Sequence, residues 1–242
     1  MIDLHTHILP GLDDGARTLE DALDMARAFV DEGVTAVAAT PHVRDDYPTT
    51  PETMLRAVTS LQQVLDQEGI PLVLLPGAEV AVEWVAQLDD VELRRLTLAA
   101  NGRYLLVETP YRGWSAAVVE QLRRLLVARL TPVLAHPERN PVVQATPSLL
   151  APLVEGGMLV QVTAASLDGR LGKAPQATGR RLVAGGLAHV VASDAHAAHV
   201  RAAGMLSALD TIGDEALARW LVNDVPLALV HGEVVPPRPR SV

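Results

Sequence analysis

Cysteine is absent from the 242 residues, which excludes disulfides, thiolate metal ligands and a cysteine nucleophile. Lysine is nearly absent too: Lys173 stands alone, and the other basic side chains are arginines. The net charge of −9 argues against a nucleic-acid partner, which would call for a basic patch or stripe. Although 49% of the residues are apolar, no unbroken apolar stretch approaches the roughly 20 residues that span a bilayer, so no membrane insertion is expected. No basic start and apolar signal core precede Asp3, His5 and His7, which makes the cytoplasm the expected location. Long linkers, low-complexity blocks and internal repeats are also missing. One domain over 1–242 is expected, with the proline-arginine stretch from Pro236 onward (236–242) as a frayed tail.

Short apolar runs recur at Ile2–His5, Val34–Ala39, Leu72–Leu75, Tyr104–Val107, Pro132–Ala135, Leu159–Val162 and His189–Ala192. They lie about 30 residues apart, the spacing of strand-plus-helix units. Helical patterns fill the gaps. Thr18 reads as the N-cap of Leu19–Glu32 with Gly33 closing it, and Thr50-Pro51 opens a helix towards Gln67. Further helices are expected over Ser115–Ala128, Thr146–Glu155, Pro175–Ala184 and Ala202–Leu209. Strands without clean in/out alternation suit a parallel sheet buried on both faces. The predicted fold is α/β, a seven-stranded (β/α) barrel with its site at the C-terminal ends of the strands.

The unusual polar residues sit where those strands end: His5-Thr-His7, Pro41-His42, Glu79, Glu108, His136-Pro-Glu-Arg139 and Ser193-Asp194-Ala-His196. His5 and His7 alternate on an extended segment, so both imidazoles can face one ion, and histidine with carboxylate suits manganese, iron or zinc better than calcium. Glu79 and Glu108 follow apolar runs and need a cation, a hydrogen-bonding partner or solvent if buried. Asp13-Asp14-Gly15 has an alternative reading as a turn with an Asx cap. Arg139 could bind two phosphoryl oxygens as a planar fork, or pair with Glu138. Arg201 is a second phosphate candidate, or an exposed helix arginine. His189, His199 and His231 have no such context and read as structural or exposed, His199 lying close enough to support the site.

Together these residues resemble the PHP (polymerase and histidinol phosphatase) family of metal-dependent phosphoesterases, and more narrowly its bacterial capsule-biosynthesis-type tyrosine phosphatases. The resemblance is carried by Asp3-Leu-His-Thr-His-Ile-Leu-Pro-Gly-Leu-Asp-Asp-Gly15, Ala39-Thr-Pro-His42, Gly77-Ala-Glu79, Ala135-His-Pro-Glu-Arg-Asn140, Gln161-Val-Thr-Ala-Ala-Ser-Leu167 and Ser193-Asp-Ala-His196. It implies a distorted (β/α)7, TIM-barrel-like fold holding two or three divalent ions, with manganese first and iron, zinc or magnesium as alternatives. By motif, His5, His7, Glu79 and Asp194 would hold one ion. Glu79 would bridge to a second, held with Glu108 and His136, while Asp14, His42 and His196 would hold a third. His42 also falls in the catalytic set, with Arg139 and Arg201 matching the family's phosphate-contacting arginines. The loops carrying Arg44, Tyr47 and Arg112-Gly-Trp114 depart more freely from the pattern.

The implied activity is a phosphoric-monoester hydrolase of the protein-tyrosine-phosphatase kind. Its partner would be a phosphotyrosine protein, such as a bacterial tyrosine kinase tail that regulates capsular or exopolysaccharide synthesis. No protein nucleophile is required, because metals can acidify a bound water that attacks phosphorus in line with the leaving oxygen. A phenolate of pKa about 10 leaves more readily than an alkoxide. The rival readings are a phosphatase for a small metabolite such as histidinol phosphate, an amidohydrolase, and a non-catalytic PHP scaffold. Many amidohydrolases bridge their metals through a modified lysine at a strand end, and Lys173 lies elsewhere.

Overall fold

Each of the seven apolar runs folds as a strand, and the amphipathic segments between most of them fold as helices. The computed structural model describes residues 1–198 and 202–239. Its first half runs β1 (Ile2–Thr6), α1 (Leu19–Asp31), β2 (Ala36–Ala39), β3 (His42–Arg44), β4 (Tyr47–Pro48), α2 (Pro51–Gln67), β5 (Val73–Pro76), β6 (Glu79–Ala81), α3 (Asp90–Arg95), β7 (Tyr104–Glu108) and α4 (Ala116–Val127). The second half runs β8 (Thr131–Ala135), α5 (Pro141–Ala145), α6 (Ala151–Glu155), β9 (Leu159–Thr163), α7 (Ala164–Leu167), α8 (Lys173–Ala184), β10 (Val190–Ala192), α9 (Met205–Ile212), α10 (Glu215–Arg219) and α11 (Val225–Val230).

Helix starts follow local chemistry. The Thr18 hydroxyl accepts from Asp21 N while the Asp21 carboxylate accepts from Thr18 N, a reciprocal capping box. Thr50 accepts from Thr53 N with Pro51 in the first turn, where its missing N–H costs nothing. Helix α1 buries Ala22, Met25, Ala26 and Phe29, a single stripe at helical spacing. The segment expected as one helix over Thr146–Glu155 is instead a 3₁₀ turn (Pro147–Leu150) followed by α6, because Pro147 and Pro152 cannot donate to a continuous ladder. The last expected helix begins later, at Met205, after Gly204 in the left-handed region. Helices α10 and α11 were not expected. Nor is Pro236–Pro239 frayed: Trp220 Nε1 donates to Pro236 O at 3.0 Å and Arg238 donates to Val183 O at 2.7 Å.

The strands form two sheets. One has the order β1-β2-β5, and the other β10-β9-β8-β7-β6-β3-β4, all parallel except the β3–β4 hairpin. The second and third units are each split. After β2 the chain passes Thr40-Pro41 and re-enters the other sheet as β3; after β5, which ends at Pro76, it passes Gly77-Ala78 and re-enters as β6. Glu79 N donates to Pro41 O at 3.1 Å, joining the two continuations. The sheets meet again where Asp194 N donates to His5 O at 2.8 Å and His7 N donates to Ala195 O at 2.9 Å. These offsets place short strands, unexpected from sequence, under His42 and Glu79.

Glu138 ties the end of β8 to the end of β9 from a fully buried position. Its carboxyl accepts from Thr163 N at 3.1 Å and Ser166 Oγ at 2.7 Å, not from Arg139. Burial pushes it up from 4.5 to about 7, against the lowering effect of Ser166 and Thr163. The folded chain therefore holds an extra proton between those two values, so stability falls as pH rises from 4.5 to 7 and the loss is complete above 7. Glu138→Gln should lose less stability than the parent between pH 5 and pH 8, by about 1–3 kcal/mol. Thermal melts at the two pH values test this; parallel shifts in both proteins would show that Glu138 does not titrate there.

Candidate metal centre

The C-terminal ends of the parallel strands converge on one buried point. His5 is next to last in β1 with His7 just beyond the strand, His42 opens β3, Glu79 opens β6, Glu108 closes β7, His136 follows β8, and Asp194 and His196 follow β10. Asp14 reaches in from the first loop. All nine expected residues fall into groups whose ligand atoms lie within 4.8 Å of one another. The groups are His7, Asp14, His42 and His196; His5, Glu79 and His136; His5, His7 and Asp194; and His42, Glu79 and Glu108. This grouping differs in detail from the division implied by the resemblance. Glu108 and His136 each keep company with Glu79 but not with one another, and His5, His7 and His42 each serve two groups.

Glu79 lies at the middle, with no solvent exposure. Its Oε2 is 3.2 Å from His5 Nε2, 3.4 Å from His7 Nε2 and 3.0 Å from His42 Nδ1, while Oε1 is 2.9 Å from His136 Nε2. Asp194 Oδ1 approaches His5 and His7 Nε2 at 3.5 and 3.3 Å, and Asp14 Oδ1 lies 3.4 Å from both His42 Nε2 and His196 Nε2. His5 and His7 present Nε2 atoms 3.2 Å apart to the same point. Glu79 Oε2 and His42 Nδ1 are buried without a hydrogen bond. Buried carboxylates surrounded by imidazole nitrogens, with lone pairs left unspent, fit divalent cations of the manganese, iron or zinc kind.

Other residues aim these groups. Asp13 Oδ2 accepts from His7 Nδ1 at 2.7 Å and from His42 N at 3.1 Å, and its Oδ1 accepts from Gly15 N at 2.9 Å. Asp13 is thus both the turn residue and the group that turns His7 Nε2 inward. Gln161 Oε1 accepts from His5 Nδ1 and His136 N, both at 3.1 Å. Asp3 accepts from Ser193 N and His5 N. Sequence reasoning missed the orienting roles of Asp13, Gln161 and Asp3. A signal existed for Gln161, a polar residue flanked by apolar ones inside a buried strand.

The electrostatics follow from burial. Desolvation pushes Glu79 up, but His5, His136 and His42 outweigh it and hold the carboxyl well below its ordinary value; Asp194 is held low by His5 and His7 in the same way. Desolvation pushes His42 down, yet Asp14 and Glu79 raise it to about 9. Burial and the Glu79 charge raise Glu108, and burial raises Asp3 to about 6. His136 is lowered by burial. His136 and Asp194 also adopt left-handed backbone conformations, with φ of 34° and 54°, strain that concentrates at sites where geometry is over-determined.

Of the other candidates, Arg139 borders the centre and donates to Asp194 Oδ2 at 2.7 Å. His189 lies away from it against Trp220, His231 follows α11, and Lys173 opens α8 from an exposed position. Arg201 and His199 lie outside the described residues. Gly15 packs directly on the His7 backbone: an added Cβ would fall 2.1 Å from His7 O. Gly15→Ala must therefore displace the loop carrying Asp13 and Asp14, with an expected melting-temperature loss of about 5–10 °C for a cost of roughly 3 kcal/mol. An unchanged melt would refute this packing.

Known proteins resemble this chain over most of its length. The model of the capsular polysaccharide synthesis family CpsB/CapC matches residues 1–222. The tyrosine-protein phosphatase YwqE of Bacillus subtilis is 40% identical over 197 residues, 81% of this chain and 77% of that one. The putative tyrosine-protein phosphatase CapC of Staphylococcus aureus is 30% identical over the same proportions. Crystal structures of YwqE from Bacillus subtilis and CpsB from Streptococcus pneumoniae, described as unique metal-dependent tyrosine phosphatases, include a chain that superposes with a TM-score of 0.88 at 35% identity, covering 100% of both. A β-aspartyl dipeptidase from Fervidobacterium islandicum, 13% identical with a TM-score of 0.53 over 95% of this chain and 74% of that one, shares the fold alone. This chain belongs to the CpsB/CapC family of capsular polysaccharide synthesis.

Proposed function

We propose that the chain is a metal-dependent protein-tyrosine phosphatase acting in the regulation of capsular or exopolysaccharide synthesis. The observation that carries the reading is the gathering of five histidines and four carboxylates, Glu79 among them, into overlapping groups of ligand atoms, with a guanidinium at the border. Two or three divalent ions, manganese first, would be held by His5, His7, Asp14, His42, Glu79, Glu108, His136, Asp194 and His196. Ions bound there supply Lewis-acid charge and an acidified water, the chemistry that hydrolyses a phosphate ester without a protein nucleophile. This accords with a chain that has no cysteine.

The remaining steps belong to the protein. Asp13 and Gln161 bind the Nδ1 sides of His7 and His5, which fixes the rings and keeps Nε2 turned to the centre. Arg139 is anchored through one nitrogen on Asp194, leaving its other N–H groups to receive phosphoryl oxygens. Arg201 is the second arginine of this reading. The two sheets are taken as the wall of one distorted (β/α)7 barrel, a single domain. The substrate is a phosphotyrosine protein, for which a tyrosine-bearing kinase tail fits the capsule-synthesis family, and the site of action is the cytoplasm. No helix among the described residues is long and apolar enough to cross a membrane.

Two measurements test the reading. Metal-stripped protein reconstituted with manganese should hydrolyse a phosphotyrosine peptide with a higher kcat/KM than a phosphoserine peptide or histidinol phosphate, and exhaustive chelation should abolish turnover. A preference for histidinol phosphate would overturn the substrate assignment while leaving the metal centre. Arg139→Ala and His136→Ala should each lower kcat by about 10²–10³, but only His136→Ala should lower bound metal. Equal metal loss in both would assign Arg139 to holding Asp194 rather than to the phosphoryl group.

A further inference from the structure

Beside Glu108 a cleft of about 430 Å³ opens from the centre towards solvent, lined by Arg44, Asp45, Asp46, Ala81, Glu83, Trp84, Glu108, Thr109, Pro110 and Tyr111. That volume is in the range of small-ligand sites. A larger cavity, about 700 Å³ between α10 and the Pro236–Pro239 stretch, includes none of the candidate ligands. The Glu108 cleft differs because its floor is itself a member of the metal-ligand groups, so a group seated on the centre can extend into it.

Its walls are flat and held in place. Tyr111 exposes 51% of its surface while its inner side rests against the centre. Its ring lies 23° from the plane of His136 with 6.4 Å between centroids, and the Arg139 guanidinium lies 5.6 Å from its centroid. Opposite, Arg44 is pinned to Asp46 at 2.8 Å and to both Glu108 oxygens at 3.4 Å, with its guanidinium 5.2 Å from the Tyr47 ring. Farther from Glu108, Trp84 donates to Asp45 Oδ1 at 2.8 Å. An exposed aromatic ring with its orientation already fixed stacks on another ring at little entropic cost.

Resting on the phosphotyrosine reading above, we propose that this cleft is the subsite for the aromatic leaving group. Tyr111 is its specificity-determining residue, Ala81 and Pro110 are further apolar contacts, and Trp84 is the outer wall. The cleft also selects by reach. Glu108 is buried at its floor while Asp45, Asp46 and Glu83 are exposed. A phosphoryl group joined through a phenyl ring spans from the centre to the mouth and leaves the peptide backbone outside. A phosphoserine, lacking the ring, would have to draw its backbone down onto the floor.

Inorganic phosphate separates ring recognition from phosphoryl recognition, because it occupies the centre but has no ring. With manganese-loaded full-length protein, Tyr111→Ala and Trp84→Ala should each raise KM for a phosphotyrosine peptide about 10-fold, the loss expected for one ring contact. The inhibition constant for inorganic phosphate and the bound metal content should stay at wild-type values, and Tyr111→Phe should keep the wild-type KM. Unchanged KM in both alanine variants overturns the proposal, as does phosphate inhibition or metal content that falls in parallel with it, which would make Tyr111 a support for Glu108. A wild-type protein with bound metal and no turnover of the phosphotyrosine peptide refutes the underlying phosphatase reading instead.

Discussion

The structure is organised around one buried anion. Glu79 has no solvent exposure and stands within 3.4 Å of nitrogen atoms from four histidines, His5, His7, His42 and His136. Removing a carboxylate from water costs several kcal/mol even after relaxation, and only close, well-aimed positive charge or metal offsets it. The four histidines come from three strand ends, those of β1, β3 and β8, so no local segment could meet that requirement alone. Bringing strand ends from both sheets to one point solves the electrostatic problem, and it also makes the solution fragile. Displacing any one strand end leaves a charge buried without its partner.

The same constraint explains where the backbone departs from ease. Proline steps at Pro41 and Pro76 break β2 and β5 and shift their continuations into the other sheet, which brings His42 and Glu79 into register as neighbours. His136 and Asp194 take left-handed conformations that a non-glycine residue adopts at a cost of about 1–3 kcal/mol. Each is held by a second contact: Gln161 Oε1 accepts from His136 N, and His5 O accepts from Asp194 N. The helices α1, α2 and α4, with their side-chain caps and apolar stripes, supply the regular packing that can carry such strain.

Rim and floor divide the labour of the site. At the floor the donors are buried and mutually oriented, and Asp13, Gln161 and Asp3 fix their angles through hydrogen bonds. At the rim Arg44, the last residue of β3, stands partly in solvent together with Trp84 and Tyr111. A family can therefore keep one metal centre and adjust what reaches it, consistent with loops on a rigid scaffold being the natural place for recognition.

Much of this was legible from residues alone because it rests on periodicity. Seven apolar runs at even spacing announce parallel strands, Thr18 and Thr50-Pro51 announce helix starts, and a His-x-His on an extended segment points two rings the same way. The eight polar residues at strand ends stood out because each is costly to bury, and Asp14 joined them from the first loop. Three features were not legible. The strands β3 and β6 are only three residues long, too short to carry a pattern; they exist because neighbouring strands pair with them. The C-terminal helices α10 and α11, and the docking of Pro236–Pro239 on Trp220, depend on surfaces assembled from distant parts of the chain. Which nitrogen faces which oxygen, and which residue does the orienting, was decided only by tertiary contacts, because hydrogen bonds between residues such as His5 and Gln161, 156 positions apart, have no local signature. The sequence by itself determined which side chains were costly to bury without a partner; the folded structure decided how they share the space around Glu79.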